Sequence, residues 1–358
     1  MRRVLAVGSM DHLTVVVLRA LAERGFRVAV AGTGESASVR LSRRCAEFIR
    51  VAEDDEEMMA ASDAVLASVE AAARETGAEL VVPVDVAGAL VAHHLRPRLP
   101  GVSFYPFAEP ETLKALDDKW LFHETLARHD LPRPEARLVS GPEEARALPL
   151  PFVLKQRRGA GGHGVRLLRD EAERESELAA LTPEDWPRVA QAFVPGPDVD
   201  VSFLADRGRL VAYAVQMRER GAIEYFDDAG VADFARRLAA ATGYTGLAHV
   251  DMRYTDASRR EALPIECNPR FWGSFLHMTG LGTDFLGLGL ELAAGRVPTS
   301  PPAPVGTVHG ARAALKRALT GGGLSGPAWA HLRQMLFDPL PELRKAALNA
   351  LGRGEGWP

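Results

Sequence analysis

Three polar side chains close to residue 270 carry most of the chemistry legible in this chain. Leu263-Pro264-Ile265-Glu266-Cys267-Asn268 predicts a strand. Successive side chains of a strand point to opposite faces, so Glu266 and Asn268 share one face and Ile265 and Cys267 the other. A carboxylate beside an amide carbonyl makes a pair of hard oxygen donors, suited to Mg²⁺ held between protein and phosphate oxygens. Pro269 cannot donate to a ladder and ends the strand, leaving Arg270 at its mouth. Metal ligands beside a guanidinium point to phosphoryl chemistry. Asp251, on the run Ala248–Tyr254 just upstream, can face the same cation across a hairpin, and carboxylates gathered together repel unless a cation neutralises them.

Gly159-Ala160-Gly161-Gly162-His163-Gly164 matches G-x-G-x-x-G letter for letter. A dinucleotide fingerprint needs a strand before it and a helix after it. Here Pro151–Gln156 and Val165–Leu168 both read as strands, so the glycines form a hairpin tip. Val165-Arg166 stands where a P-loop would carry Lys-Ser/Thr, which excludes that motif too. What remains is a flexible hairpin whose backbone N–H groups can close over a polyphosphate, with Lys155 on the preceding strand to pair with a phosphate beneath it. Lys119 opens a helix after Asp117-Asp118. Helical lysines are mostly solvated, so Lys119 matters only if the fold brings it opposite Lys155.

Gln191-Ala192-Phe193-Val194-Pro195-Gly196-Pro197-Asp198 has the form of a strand leaving one subdomain for another. Backbone groups there can read an adenine edge, with Gln191 taking the exocyclic amine and Asp198 the ribose hydroxyls. A structural turn at Pro-Gly-Pro accounts for the same residues without a ligand. His163, His249 and His277 have no metal-ligand spacing and read as polar surface or loop residues. No G-x-S-x-G elbow is present, and Cys267 reads as a core residue.

The elements that must position these residues fall into two styles. Val4–Gly8, a helix over Leu13–Arg24 closed by Gly25, and a strand over Phe26–Ala31 make a βαβ opening. A helix over Asp63–Thr76 leads to the strand Leu80–Asp85, with an acid at its carboxyl end, where doubly wound sheets hold their ligands. A helix over Asp117–His129 follows. Then come strands over Arg188–Val194, Asp200–Leu204 and Leu210–Met217, a helix over Ala229–Thr242 capped by Gly243, and a hairpin of Ala248–Tyr254 with Leu263–Asn268. The order is α/β first and mixed α+β after. Beyond Val297 a Pro-rich linker precedes two amphipathic helices, around Ala311–Leu319 and Leu340–Leu351, which read as an appended element packed on the rest.

At 358 residues, 47% hydrophobic and 25% charged, the chain is an ordinary globular protein with room for two or three domains. Its 43 basic and 47 acidic residues give a net charge of −4, which disfavours nucleic acid as a partner. Cys45 and Cys267 offer neither a disulfide framework nor a zinc spacing. The short apolar run after Met1-Arg2-Arg3 is broken by Gly8-Ser9-Met10 and is too short for a signal h-region. No stretch reaches bilayer length. A cytoplasmic protein without a membrane partner is expected.

Taken in order, Asp118-Lys119, Val153-Leu154-Lys155 with the glycine hairpin, Phe193–Asp198, Asp251 and Glu266-Cys267-Asn268-Pro269-Arg270 resemble the successive ATP and magnesium elements of the ATP-grasp superfamily. Arg270-Phe271-Trp272-Gly273-Ser274 resembles its carbamoyl-phosphate-synthase-type and carboxylate–amine ligase members. The resemblance covers roughly residues 1 to 300. It implies a doubly wound pre-ATP-grasp domain over 1–104, a small subdomain with the glycine lid over 105–190, a large subdomain with the metal site over 191–300, and a linker and helical tail over 301–358.

It further implies that Lys119, Lys155 and the hairpin (Gly161, Gly162, His163, Gly164) contact ATP phosphates. Gln191 and the Phe193-Val194 backbone would hold adenine and Asp198 the ribose. Many members carry glutamate at the Gln191 and Asp198 positions, which puts these base and sugar contacts in question. Asp251, Glu266 and Asn268 would bind two Mg²⁺ ions, with Mn²⁺ able to substitute. Arg270 would stabilise the transferring phosphoryl group. Phe271, Trp272 and Ser274 would border the acceptor pocket, with Arg218 or Arg220 gripping a carboxylate. The activity implied is an ADP-forming ligase that joins a small-molecule carboxylate to an amine through an acyl phosphate, with a homodimer compatible with this reading. A carboxylate kinase or carboxyphosphate-forming enzyme, and a nucleotide-binding regulator without turnover, remain as alternatives.

Overall fold

The computed structural model describes residues 2–159, 161–219, 221–310, 336–341, 343 and 344. The chain forms two compact units. The first takes Met1–Leu113, Val201–His249 and the described residues from Pro269 on, and the second takes Lys114–Asp200 and Val250–Asn268.

In the first unit, β1 (Arg3–Val7), β2 (Arg27–Thr33), β3 (Cys45–Ala52), β4 (Leu80–Pro83) and β5 (Ser103–Phe104) form a sheet in the order β3-β2-β1-β4-β5. Every pairing is parallel. Val4–Val7 and Val28–Ala31 are wholly buried, as strands become when helices cover both faces of a sheet. The strand order reverses between β1 and β4, where such sheets open a crevice. The acid at that point is occupied structurally. Asp85 Oδ1 accepts the Gly88 N–H at 2.9 Å and caps the helix Val86–Leu95. Its Oδ2 accepts the Ser9 and Met10 N–H groups at 2.7 and 2.8 Å.

In the second unit, β6 (Ala136–Val139), β7 (Phe152–Lys155), β8 (Val165–Leu168) and β9 (Arg188–Ala192) form an antiparallel sheet in the order β6-β9-β7-β8. Phe152 and Leu154 pack with Val139, Leu168, Leu178 and Ala190 in a small core. Strand alternation therefore turns Val153 and Lys155 to the opposite face. The third sheet holds β10 (Asp198–Asp206), β11 (Arg209–Glu219), β12 (Ala222–Phe226), β13 (Gly246–Tyr254), β14 (Ala262–Asn268) and β15 (Gly306–His309). Its order is β14-β13-β10-β11-β12-β15. The chain passes from one unit to the other within β10, after Asp200, and within β13, after His249.

The mixed α/β architecture is as the sequence predicts. The predicted helix around Ala311–Leu319 and most of the one over Leu340–Leu351 lie outside the described residues, as does Arg220. Elements the sequence reading left unassigned include β3, β6, β12, β15 and the helices Val86–Leu95, Glu171–Ala180 and Phe285–Ala293. Among the described residues no helix is long and apolar enough to cross a membrane.

Candidate active site

The second unit gathers the predicted phosphate and metal residues. The helix Lys119–Arg128 begins at Asp118, whose Oδ1 accepts the Trp120 and Leu121 N–H groups at 2.9 and 3.1 Å. Its Oδ2 takes a two-pronged contact from Arg157, Nε at 2.9 Å and Nη2 at 2.8 Å. The Lys119 N–H donates to Arg157 O at 2.8 Å. These bonds fix the start of the helix against the chain just after β7. Lys119 Nζ, almost fully buried, then donates to Gly159 O at 2.7 Å and lies 3.2 Å from Glu266 Oε2.

Lys155 reaches the same place from β7. Its Nζ donates to Gln191 Oε1 at 2.9 Å and to Ile265 O at 2.8 Å, and its side chain is buried. Burial lowers its pKa to about 7; Glu266 and Asp251 oppose the shift, and Lys119 adds to it. Glu266 is pushed above the usual carboxylate range, first by burial and then by Asp251, against the pull of Lys119 and Lys155. Asn268 Nδ2 donates to Asp251 Oδ2 at 3.1 Å. Two carboxylates and an amide thus converge beside two lysines, with one carboxylate destabilised as an anion by burial and by its acidic neighbour. A divalent cation relieves that cost, so Asp251, Glu266 and Asn268 fit a Mg²⁺ site. Cys267 is turned away and buried.

The glycine hairpin joins β7 to β8. Gly159, Gly161, Gly162 and Gly164 all have positive φ, and Gly161, Gly162 and His163 are exposed. At Gly164 a Cβ would come within 2.7 Å of Gln156 Cδ, at φ +65°. Gln191, predicted to meet adenine through its amide, has its carbonyl oxygen on Lys155 instead. After β9 the chain turns through Phe193 and a buried Val194 to Asp198, which is exposed at the start of β10.

The remaining predicted residues lie in the first unit. Arg270 is buried and donates from Nη1 to Phe271 O at 2.9 Å. Arg270 and Phe271 line a cavity with Asp85, Tyr105, Phe107 and Tyr244. The Tyr105 and Tyr244 hydroxyls are bonded to Phe285 O and Leu247 O, at 3.0 and 2.7 Å. Trp272 sits in the main core. It stacks on His249 with ring centroids 5.7 Å apart, and His249 Nδ1 lies 2.8 Å from Ser202 Oγ. His249 is therefore a half-buried strand residue rather than the loop or surface histidine expected. Ser274 Oγ donates to Gln216 Oε1 at 3.3 Å. Arg218 is exposed on β11. Sequence reasoning missed Arg157. Arg157 meets its partner Asp118 from 39 positions away, a pairing that no local spacing signals.

Residues 116–274 match the family model for the ATP-grasp domain. The carbamoyl phosphate synthase large chain of Thermus thermophilus is 29% identical over 177 residues, which is 43% of this chain and 17% of that one. The chain therefore spans less than a fifth of that relative's length. Among solved structures, the biotin carboxylase–β,γ-ATP complex of Campylobacter jejuni aligns with a TM-score of 0.64 at 17% identity, covering 86% of this chain and 74% of that one. An L-amino acid ligase of Bacillus licheniformis aligns at 0.62 and 18% identity, covering 82% and 74%. At these identities the structural likeness is one of fold.

Proposed function

We propose, from the match of residues 116–274 to the ATP-grasp domain model, that the protein is an ADP-forming ligase that activates a small-molecule carboxylate as an acyl phosphate and joins it to an amine. The observation that carries this reading is the convergence of Lys119 on Glu266 at 3.2 Å, beside the Asn268–Asp251 contact at 3.1 Å. Lys119 and Lys155 bind ATP phosphates, under a lid formed by Gly161, Gly162, His163 and Gly164. Backbone groups of Phe193 and Val194 take the adenine edge, and Asp198 the ribose hydroxyls. Gln191 acts there by orienting Lys155, its hydrogen-bond partner.

Asp251, Glu266 and Asn268 would hold Mg²⁺, which supplies charge neutralisation on the phosphate oxygens when bound. The substrate carboxylate oxygen attacks the γ-phosphorus in line, its bond to phosphorus forming as the bond to the β-phosphate oxygen breaks. Arg270 stabilises the transferring phosphoryl group and the acyl phosphate. The amine then attacks the acyl carbon and loses a proton, and inorganic phosphate leaves. Closing the hairpin excludes water, which would otherwise hydrolyse the acyl phosphate. The cavity beside Arg270 and Phe271 supports a carboxylate subsite there; Trp272, Ser274 and Arg218 support it less directly.

The names of structurally similar proteins include an amino acid ligase and a biotin carboxylase. A screen of ADP release over pairs of carboxylates and amines tests the reading. ADP formation that depends on both partners and yields an amide is expected. ADP formed at full rate without any amine would favour the carboxylate kinase or carboxyphosphate reading, and nucleotide binding without turnover would favour a regulator.

A further inference from the structure

Arg253 has no role in the reaction as proposed, yet it holds the turn assigned to the nucleoside. Its Nε and Nη2 donate to Gly196 O at 3.1 and 2.7 Å. Its Nη1 lies 3.2 Å from Asp198 Oδ1, and its Cζ stands 5.4 Å from the centre of the Phe193 ring. The next residue fastens the same turn, because the Tyr254 N–H donates to Pro197 O at 3.0 Å. Gly196 approaches so closely that a Cβ there would come within 2.1 Å of Tyr254 O. A single guanidinium therefore engages Phe193, Gly196 and Asp198 together.

An exposed Arg–Asp pair by itself holds little, and the Asp198 side chain is 74% exposed. The order of dependence follows from that. The two bonds to Gly196 O and the ring contact fix the guanidinium, and the fixed guanidinium then orients the Asp198 carboxylate. Only a planar fork of donors serves a carbonyl and a carboxylate at once while lying over a ring; a lysine ammonium does not.

We propose that Arg253 is the positioning residue for the nucleoside of ATP. It sets the Phe193–Asp198 turn so that its backbone meets adenine and Asp198 meets the ribose, without touching the nucleotide itself. This rests on the reading of that turn as the adenosine site.

The test is calorimetric titration of wild type, Arg253→Met and Arg253→Lys with MgATP and, separately, with magnesium tripolyphosphate, which has the phosphates but no nucleoside. Wild type should bind ATP more tightly than tripolyphosphate. Arg253→Met should weaken ATP about tenfold, about 1.4 kcal/mol, and leave tripolyphosphate unchanged, with Arg253→Lys recovering only part of the loss. Equal loss of both ligands, or unchanged ATP affinity, overturns the proposal. Should Arg253→Met not fold, Arg253→Lys decides by the same ratio: an ATP preference equal to wild type overturns it. If wild type itself shows no preference for ATP, the adenosine reading is wrong and the proposal falls with it.

Discussion

At the scale of single residues, the site is built at the expense of Lys155. Burial strips water from its ammonium and, with Lys119 adding to the effect against the pull of Glu266 and Asp251, lowers its pKa to about 7. The unfolded chain, with an ordinary lysine near 10.4, binds more protons than the folded one between those values. Stability therefore rises with pH across that window, by up to about 1.4 kcal/mol per unit. Lys155→Met removes the effect. Urea unfolding at pH 7 and pH 9 should show wild type gaining stability relative to Lys155→Met as pH rises; a difference that does not change with pH would refute the shift. The methionine also leaves Gln191 and Ile265 O without their donor, but that cost does not vary with pH. Bound phosphates reverse the electrostatics by favouring the charged amine, so the same variant should lose ATP affinity. Very little of this was legible beforehand. The type and place of Lys155 could be read from Val153-Leu154-Lys155, whereas its burial comes from β9 and β14, which local sequence does not reveal.

At the scale of elements, the proposed mechanism has the glycine hairpin close over ATP, and the register of the hairpin is fixed at its base. Arg157 grips Asp118 there through two nitrogens, and Gln156 fills the space a side chain at Gly164 would need. Arg158 is exposed beyond that anchor, so trypsin can report on closure. MgATP should slow cleavage at Arg158 severalfold, and Gly164→Ala should weaken the protection because it strains the hairpin against Gln156. Equal cleavage rates with and without nucleotide would contradict a lid. The hairpin itself was plain from strands on both sides of a glycine run. The match to G-x-G-x-x-G was deceptive in isolation, and only the absence of a following helix corrected it. The histidines went the other way: His249 carried no motif, and nothing local signalled its stacking on Trp272.

At the scale of the whole molecule, Asp338 ties a late segment of the chain to the first helix of the parallel-sheet unit. Its carboxylate meets Arg19 Nε at 3.0 Å and Ser42 Oγ at 2.5 Å, and accepts the Arg43 N–H at 3.0 Å. Burial pushes its pKa up, but these donors outweigh it and hold the group below its ordinary value. Its contribution is therefore present above about pH 4 and is lost as pH falls through the lowered value. Breaking a buried pair strands the partner charge, so Asp338→Ala should cost about 3 kcal/mol in urea unfolding at pH 7. The broad plan of α/β followed by α+β was legible because apolar runs and glycine stops mark parallel strands and helices. Long-range ties such as Arg19 to Asp338 were not, since residues 319 apart leave no shared pattern. Isotope transfer tests the proposed acyl phosphate most directly. With the carboxylate and amine found by the ADP screen, a carboxylate labelled with ¹⁸O should deliver one labelled oxygen to inorganic phosphate and none to the nucleotide. Label recovered in AMP, or phosphate free of label while amide accumulates, would contradict an acyl phosphate.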